Sequence, residues 1–160
     1  MLPICRSCAK SKYLCRTCQQ KYDLSQITPL EVEASKILYG LFGDDMCLRH
    51  AVETSDGVVV VVAAGDVGKV IGEGGRSLRT LSEALGKSVR VIGDGDFADV
   101  AKALIAPARV KSITQVHSGG AEKLRVHVNE NDLRLLRMNP VDLGKLVASV
   151  TDKAVELLFD

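Results

Sequence analysis

Four cysteines near the start of the chain have the spacing of a metal site. Cys5 and Cys8 form one C-x2-C pair, Cys15 and Cys18 form a second, and six residues separate the pairs. Each pair can present two thiolates to one cation, and two pairs complete a tetrahedral shell for which Zn²⁺ is the usual occupant. The pattern therefore predicts a structural zinc site, because no ligand position is left open for chemistry. An iron centre or a redox pair is the alternative.

Basic and aromatic side chains surround these cysteines. They are Arg6, Lys10, Lys12, Tyr13, Arg16, Lys21 and Tyr22. Interleaved cations and aromatic rings are typical of a surface that binds single-stranded nucleic acid. The same cations would also offset the two negative charges of a zinc tetrathiolate, and the sequence leaves both interpretations open. The fifth cysteine, Cys47, is interpreted as a buried, unreactive thiol.

A glycine-rich segment, Gly72-Glu73-Gly74-Gly75, is the second candidate site. Because glycine has no Cβ, another backbone can approach it closely, and the N–H groups that begin the next helix suit a phosphate. The mononucleotide P-loop pattern fails at Ala63 and Val70. The dinucleotide pattern G-x-G-x-x-G fails because Ser77 stands in place of its last glycine. A plain turn between two helices is the alternative.

Composition limits the class of protein. The chain has 160 residues, of which 46% are hydrophobic and 4% aromatic, with no Trp, so its core must be built from Val, Leu, Ile and Ala. Its 21 Lys+Arg and 20 Asp+Glu give a net charge of +1, which excludes a polybasic tail protein, an acidic chaperone and typical disorder. The absence of a long apolar run or a signal stretch predicts no membrane span and a cytoplasmic location.

Catalytic patterns are missing from the sequence. His50, His117 and His127 fall in predicted strands with no carboxylate or cysteine pattern nearby, and no paired carboxylates occur. The sequence therefore predicts a protein that is not an enzyme and has no small-molecule substrate.

Periodicity predicts the elements that position these residues. After a boundary near Ser25, Thr28-Pro29-Leu30-Glu31 has the residues of a capped helix start. Strands are then predicted at 48–54, 58–62 and 89–92, with a turn at 55–57 and helices at 66–71 and 76–85. The second half repeats this order, with helices at 97–105, 132–137 and 142–150 and strands at 110–116, 124–128 and 155–159. Two copies of helix-strand-strand-helix-helix-strand are therefore predicted, with a shift of about 65 residues that superposes Leu78 on Leu143 and of one more residue at the last strand.

A G-x-x-G segment between two helices, after a Val-rich strand, resembles the KH domain, and the element order is that of type II. A tandem of such domains behind a four-cysteine finger resembles the archaeal NusA-like family. The resemblance implies an α+β fold in three parts. These are a four-cysteine zinc finger at 1–23, a KH domain with the G-x-x-G loop at 24–94, and a degenerate KH-like domain at 95–160.

The resemblance also implies an RNA-binding site. The predicted contacts are Lys69, Val70, Ile71, Gly72, Glu73, Gly74, Gly75, Arg76, Leu78 and Arg79. The glycines would hold the RNA backbone, Val70, Ile71 and Leu78 would line a groove for bases, and the cations would reach phosphates. Glu73 departs from the family, which often has a basic residue in the loop. The second copy has Arg137-Met138-Asn139-Pro140 in place of the loop, so a structural or protein-docking role is expected there.

The function implied is that of a non-enzymatic, single-stranded RNA-binding factor in transcription elongation or termination, with RNA polymerase or the ribosome as a candidate partner. A KH protein of ribosome assembly or translation is one alternative. A protein-docking adaptor, in which RNA binding is secondary, is another. An enzyme or electron carrier built on the cysteines is the third.

Overall fold

The N-terminal segment forms two short helices, α1 (Arg6–Lys10) and α2 (Arg16–Asp23), in the computed structural model, which describes residues 2–54, 57–136 and 138–160. Cys5 and Cys15 each precede one of these helices at its N-cap. The chain divides into two compact units, of which the first ends at Asp94 and the second begins at Gly95.

Helix α3 (Pro29–Phe42) begins as the sequence predicts. The Thr28 hydroxyl accepts a hydrogen bond from the Glu31 N–H and donates one to Glu31 Oε1, both at 3.1 Å. Pro29 occupies the first helical position. The Thr28 hydroxyl thus satisfies one N–H group that has no partner inside the helix, which explains why the helix starts here.

The first unit continues with a three-stranded sheet and two helices. Its elements are β1 (Leu48–Thr54), β2 (Gly57–Val62), α4 (Val67–Ile71), α5 (Arg76–Leu85) and β3 (Val89–Gly93). Strand β2 is central, antiparallel to β1 and parallel to β3. Its alternate residues Val58, Val60 and Val62 pack with Leu38 and Leu81 in one hydrophobic core. Residues 55 and 56 of the predicted turn lie outside the described residues.

The second unit has the same order. Its elements are α6 (Phe97–Ile105), β4 (Val110–Ser118), β5 (Ala121–Val128), a 3-10 helix (Glu130–Leu135), α7 (Pro140–Thr151) and β6 (Val155–Phe159). Strand β5 is antiparallel to β4 and parallel to β6. The β4–β5 hairpin is longer than predicted, because Gly119 and Gly120 both have positive φ and form the tight turn that such strands need. The predicted helix at 132–137 is instead this 3-10 helix, and Arg137 lies outside the described residues.

Matching hydrogen bonds relate the two units with a shift of 66 residues. The Asp94 N–H donates to Val62 O in the first unit, and the Asp160 N–H donates to Val128 O in the second. Gly86 and Asp152, which end α5 and α7, are both left-handed. The last strands thus have the one further residue that was predicted for them, and a shift of 66 rather than about 65 already applies at the ends of α5 and α7. The predicted α+β fold of two three-stranded sheets behind a cysteine-rich segment is confirmed.

No helix within the described ranges is both long enough and apolar enough to cross a membrane.

Candidate nucleic-acid interface and metal centre

The glycine segment forms a tight turn that depends on its glycines. Gly72 ends α4 with φ 75° and ψ 174°, a conformation that is essentially restricted to glycine. A Cβ at this position would lie 2.5 Å from Ser77 Oγ and 3.0 Å from the Ser77 backbone nitrogen. The loop therefore closes directly onto the first turn of α5.

The next two glycines form the accessible part of the loop. Gly74 and Gly75 have φ values of 62° and 75°, and nothing lies within 4 Å of the position of a Cβ on either. Gly75 is the N-cap residue of α5 and has no side chain with which to cap the N–H groups of that helix. The loop thus combines an open backbone with a positive helix end, which is the arrangement that suits a phosphate.

Comparison with known proteins agrees with this geometry. The KH domain family model matches residues 49–129, which extend from β1 to just beyond β5. The chain belongs to the KH domain family. Members of this family clamp a short stretch of nucleic-acid backbone with a G-x-x-G loop, and Gly72–Gly75 has this sequence pattern.

Sequence relatives make the resemblance more specific than the KH family. Two curated proteins from two strains of Halobacterium salinarum, both named "Probable transcription termination protein NusA", are 44% identical to this chain over 61 residues. The match covers 37% of this chain and 43% of the relatives' own length. The crystal structure of the protein APE1850 matches 84% of this chain and 100% of its own, with a TM-score of 0.63 and 20% identity, which shows the fold alone. With the four-cysteine cluster, these matches confirm the predicted resemblance to archaeal NusA-like KH proteins.

Lys69, the predicted cation before the KH loop, is held by carboxylates. Its Nζ donates to the carbonyl oxygen and to Oδ2 of Asp45, both at 2.7 Å, and lies 3.7 Å from Asp66 Oδ1. The hydrogen bond from Lys69 lowers the pKa of Asp45, and the same bond raises the pKa of Lys69. Arg76 and Arg79 are exposed, and no ion pair involving either is found among the described residues. These two arginines are thus the available cations beside the loop.

The apolar part of the site is smaller than predicted. Val70 is 1% exposed and belongs to the hydrophobic core, so it cannot line a groove for bases. Leu78 is half-buried and packs against the same core. Ile71 is 36% exposed. The sequence places all three beside the loop, but the face of each helix that packs on the sheet decides which of them reaches the surface.

The second unit replaces the loop with an ordinary helix start. Asn139 is the N-cap of α7, and its side chain accepts a hydrogen bond from the Val141 N–H at 2.7 Å. Pro140 at the first position of α7 has no N–H to offer. At the start of α7, therefore, one N–H group is absent and another is capped by a side chain, whereas no side chain caps α5.

The four N-terminal cysteines are brought together as the spacing predicts. Their Sγ atoms all lie within 4.8 Å of one another, and that of Cys5 lies 3.4 Å from Cys8 Sγ and 3.9 Å from Cys15 Sγ. A tetrahedral shell with metal–sulfur bonds of about 2.3 Å has sulfurs about 3.8 Å apart. The donor set therefore fits one thiophilic metal ion.

The four thiols fall into two groups by their pKa values, which backbone N–H groups lower in one group and burial raises in the other. The N–H of Cys18 lowers the pKa of Cys15 to about 7, and that of Cys8 lowers the pKa of Cys5. Burial raises the pKa of Cys8 to about 12 and also raises that of Cys18. Each buried sulfur accepts an N–H from the other pair, from Cys15 to Cys8 at 2.9 Å and from Cys5 to Cys18 at 3.4 Å. These bonds orient the buried sulfurs toward a common centre.

The cysteine segment is packed against α3. Its buried residues form a small cluster, which consists of Ile4, Cys8, Ala9, Cys18 and Ile27 and is covered by Leu14, Val32 and Tyr39. Val32 and Tyr39 belong to α3, and Lys10 Nζ lies 5.7 Å from the centre of the Tyr39 ring. Cys47, in contrast, is half-buried rather than buried and lies outside the cluster of four.

One group of polar side chains that the structure brings together was not predicted from the sequence. His127 Nδ1 lies 3.4 Å from Asp160 Oδ2, and His127 Nε2 lies 3.2 Å from Thr114 Oγ1. The expectation that His127 has no nearby carboxylate is therefore wrong. The pairing of β5 with β4 and β6 brings these residues together across the sheet, so only the strand register could have revealed the contact. The hydroxyl and the carboxylate orient the histidine on the surface of the sheet.

Proposed function

We propose that this chain binds single-stranded RNA through Gly72–Gly75 and acts in the cytoplasm as a NusA-like, non-enzymatic factor in transcription elongation or termination. The observation that carries the proposal is the open, left-handed pair Gly74-Gly75 at the start of α5, which no side chain caps. The proposed parts are a metal-bound finger at 1–23, an RNA-binding KH domain at 24–94 and a degenerate KH-like domain at 95–160.

In the proposed complex, the RNA backbone approaches the loop where no Cβ obstructs it. The N–H groups at the start of α5 and the side chains of Arg76 and Arg79 face the phosphates. Ile71 and the exposed part of Leu78 offer apolar surface to a base. Lys69 contributes little charge because Asp45 holds it, and Glu73 opposes phosphate binding. Few free cations beside the loop predict modest affinity and a shallow salt dependence for RNA that is held by the loop alone, with a slope on the order of −2.

A charge-specific substitution tests the loop. Gly74→Asp places a carboxylate in open space, and Gly74→Asn has the same shape without the charge. Both residues tolerate the left-handed conformation better than other non-glycine residues do. In fluorescence anisotropy titrations with short unstructured RNA, Gly74→Asp should weaken binding at least roughly 10-fold more than Gly74→Asn, as expected for about 1.4 kcal/mol. Equal binding by both variants and the native chain would reject the loop as the RNA contact.

We propose zinc as the structural metal of the finger. The all-thiolate donor set and its close spacing favour Zn²⁺ over harder cations. The metal would hold together a segment whose own core contains few residues. Metal analysis of the purified chain should find one zinc per chain, and a coloured, redox-active protein would instead indicate an iron centre.

A transcription role is favoured by the name of the relatives, "Probable transcription termination protein NusA". The test is a termination assay with purified archaeal RNA polymerase, in which the native chain should change readthrough and Gly74→Asp should not. A role in ribosome assembly or translation would instead leave termination unchanged and place the chain with ribosomal particles.

One observation favours the adaptor alternative. A cavity of about 350 Å³ lies in the second unit, lined by Pro140, Val141, Gly144, Lys145, Ala148, Val155 and Leu157. Val141 is 64% exposed there, and exposed apolar surface of this kind favours protein docking. If the chain is an adaptor, Val141→Asp should abolish binding to purified RNA polymerase while Gly74→Asp should not.

A further inference from the structure

The turn between α1 and α2 presents an aromatic ring to solvent. Tyr13 is 80% exposed, and its N–H donates to Ser11 Oγ at 3.2 Å, which fixes the turn. The cations Lys12, Arg16 and Lys21 are exposed on the same small segment. An exposed tyrosine among cations can stack on a base while the cations contact phosphates.

These cations differ from four others in the first unit, which are paired with carboxylates: Arg6 with Asp44, Arg49 with Asp94, Lys69 with Asp45 and Lys87 with Glu53. Among the residues that the structure describes, no ion pair is found for Lys12, Arg16 or Lys21. Their charge is therefore available to an anionic partner.

The negative charge of the metal centre does not cancel the positive charge of this segment. Residues 2–27 contain five Lys and Arg residues and a single carboxylate, Asp23, which accepts a hydrogen bond from Gln19. A divalent metal with four thiolates adds about two negative charges. The segment therefore keeps a net positive charge when the metal is bound, so offsetting the thiolates does not account for all of its cations.

The surface is also held in place. The cluster that contains Cys8 and Cys18 packs against Val32 and Tyr39 of α3, and Lys36 Nζ donates to the Lys12 carbonyl oxygen at 3.2 Å. Lys36 thereby adds a further cation beside Tyr13. A preformed surface loses little conformational entropy when a ligand binds.

We propose that Lys12, Tyr13, Arg16 and Lys21, here called the finger surface, form a second contact for single-stranded RNA. This inference rests on the proposed RNA-binding function but uses residues separate from the glycine loop. A KH loop holds about four nucleotides. The finger surface binds further nucleotides of the same strand, with a base stacked on Tyr13 and phosphates at the cations.

The experiment measures the binding of a 4-nucleotide and a 16-nucleotide unstructured RNA to the metal-loaded chain of 160 residues. Tyr13→Ala should weaken binding of the longer RNA by about 5- to 100-fold and leave the tetranucleotide unchanged, because one stacked base is lost. Tyr13→Phe keeps the ring and should stay within about 2-fold. Because Tyr13 is almost fully exposed, its removal leaves the core intact, and metal content verifies this for each variant.

A matched pair of triple variants tests the charges. Lys12→Ala, Arg16→Ala and Lys21→Ala together should reduce the salt slope for the longer RNA by about 2, since each lost phosphate contact contributes about 0.7. Lys102→Ala, Arg134→Ala and Lys153→Ala remove the same charge from exposed positions of the second unit and should change the slope by less than half as much. If Tyr13→Ala binds RNA like the native chain and the first triple variant keeps the native salt slope, the finger-surface proposal is overturned.

Gly74→Asp separates this inference from the proposed loop function. If Gly74→Asp binds the longer RNA normally and the finger variants do not, the finger surface stands and the loop proposal fails. If Gly74→Asp loses the tetranucleotide and the finger variants bind both RNAs normally, the loop stands and the finger surface fails. If the native chain binds neither RNA, both proposals are overturned.

Discussion

The backbone N–H of Cys47 donates to Asp66 Oδ2 at 3.0 Å, and the same contact recurs in the second unit, where the Arg109 N–H donates to Asp132 Oδ2 at 3.0 Å. Each donor immediately precedes the first strand of its sheet, and each aspartate lies four residues after the central strand. The aspartates thus tie the start of one strand to the end of the next. They are 66 residues apart, which is the shift that relates the two units.

The second of these contacts predicts a pH dependence. Asp132 is 5% exposed, and the hydrogen bond from the Arg109 guanidinium, followed by that from the Arg109 N–H, holds the pKa of Asp132 below its ordinary value. A lowered folded-state pKa stabilises the unit above the unfolded-state pKa of about 4, and this stability is lost as the pH falls through the folded-state pKa. Asp132→Asn should therefore destabilise residues 95–160 at pH 7 and flatten their acid sensitivity below about pH 4.

Hydrogen exchange followed by mass spectrometry measures the stability of the second unit separately from that of the first. Glu83→Gln removes an exposed carboxylate from the first unit and is the matched control. If Asp132→Asn leaves protection of 95–160 unchanged at pH 7, the contact contributes nothing to stability.

Gly72 should be the least replaceable glycine of the loop. Gly72→Ala meets both an unfavourable backbone conformation and a Cβ within 3.0 Å of Ser77, whereas Gly74→Ala meets only a positive φ. The backbone conformation alone should cost Gly72→Ala about 1–3 kcal/mol in unfolding free energy, and the contact with Ser77 adds to this. Chemical denaturation of both variants checks the order, and a smaller loss for Gly72→Ala than for Gly74→Ala would contradict the loop geometry.

Glu73 should limit the affinity for RNA. Glu73→Lys replaces a carboxylate with an ammonium group in the proposed phosphate site, so binding should strengthen roughly 2- to 5-fold, as for an exposed ion pair of up to about 1 kcal/mol. The salt slope should steepen by about 0.7. Glu83→Lys makes the same charge change near the other end of α5 and controls for net charge. Equal effects of the two variants would show that only overall charge matters.

Removal of the metal should unfold the finger selectively. Chelation or Cys8→Ser should remove hydrogen-exchange protection from residues 2–27, because the few buried residues there cannot maintain the segment alone. The sheet core around Val60 should keep its protection. Cys47→Ser leaves the four ligands intact and should retain one metal per chain. Retained protection of 2–27 in the metal-free chain would show that packing against α3 is sufficient.

Structural features that depend on residues close together in the chain could be predicted from the sequence. The two cysteines of each C-x2-C pair lie close together because three residues span one turn, and α3 begins after Thr28 because this cap residue and Glu31 lie within one turn of each other. The glycine loop could be predicted for the same reason, since glycine permits the positive φ values that Gly74 and Gly75 adopt.

The tertiary structure decided which predicted side chains are available. Val70 and Ile71 are adjacent in α4, yet one is in the core and the other reaches the surface, because the orientation of a short helix on its sheet depends on packing across the whole unit. Lys69 meets Asp45, 24 residues away, and His127 meets Asp160, 33 residues away, through strand register and loop path. Local periodicity carries no information about such long-range pairs. The sequence therefore determined the order of the elements and the candidate motifs. Packing determined which charges and surfaces remain free to bind.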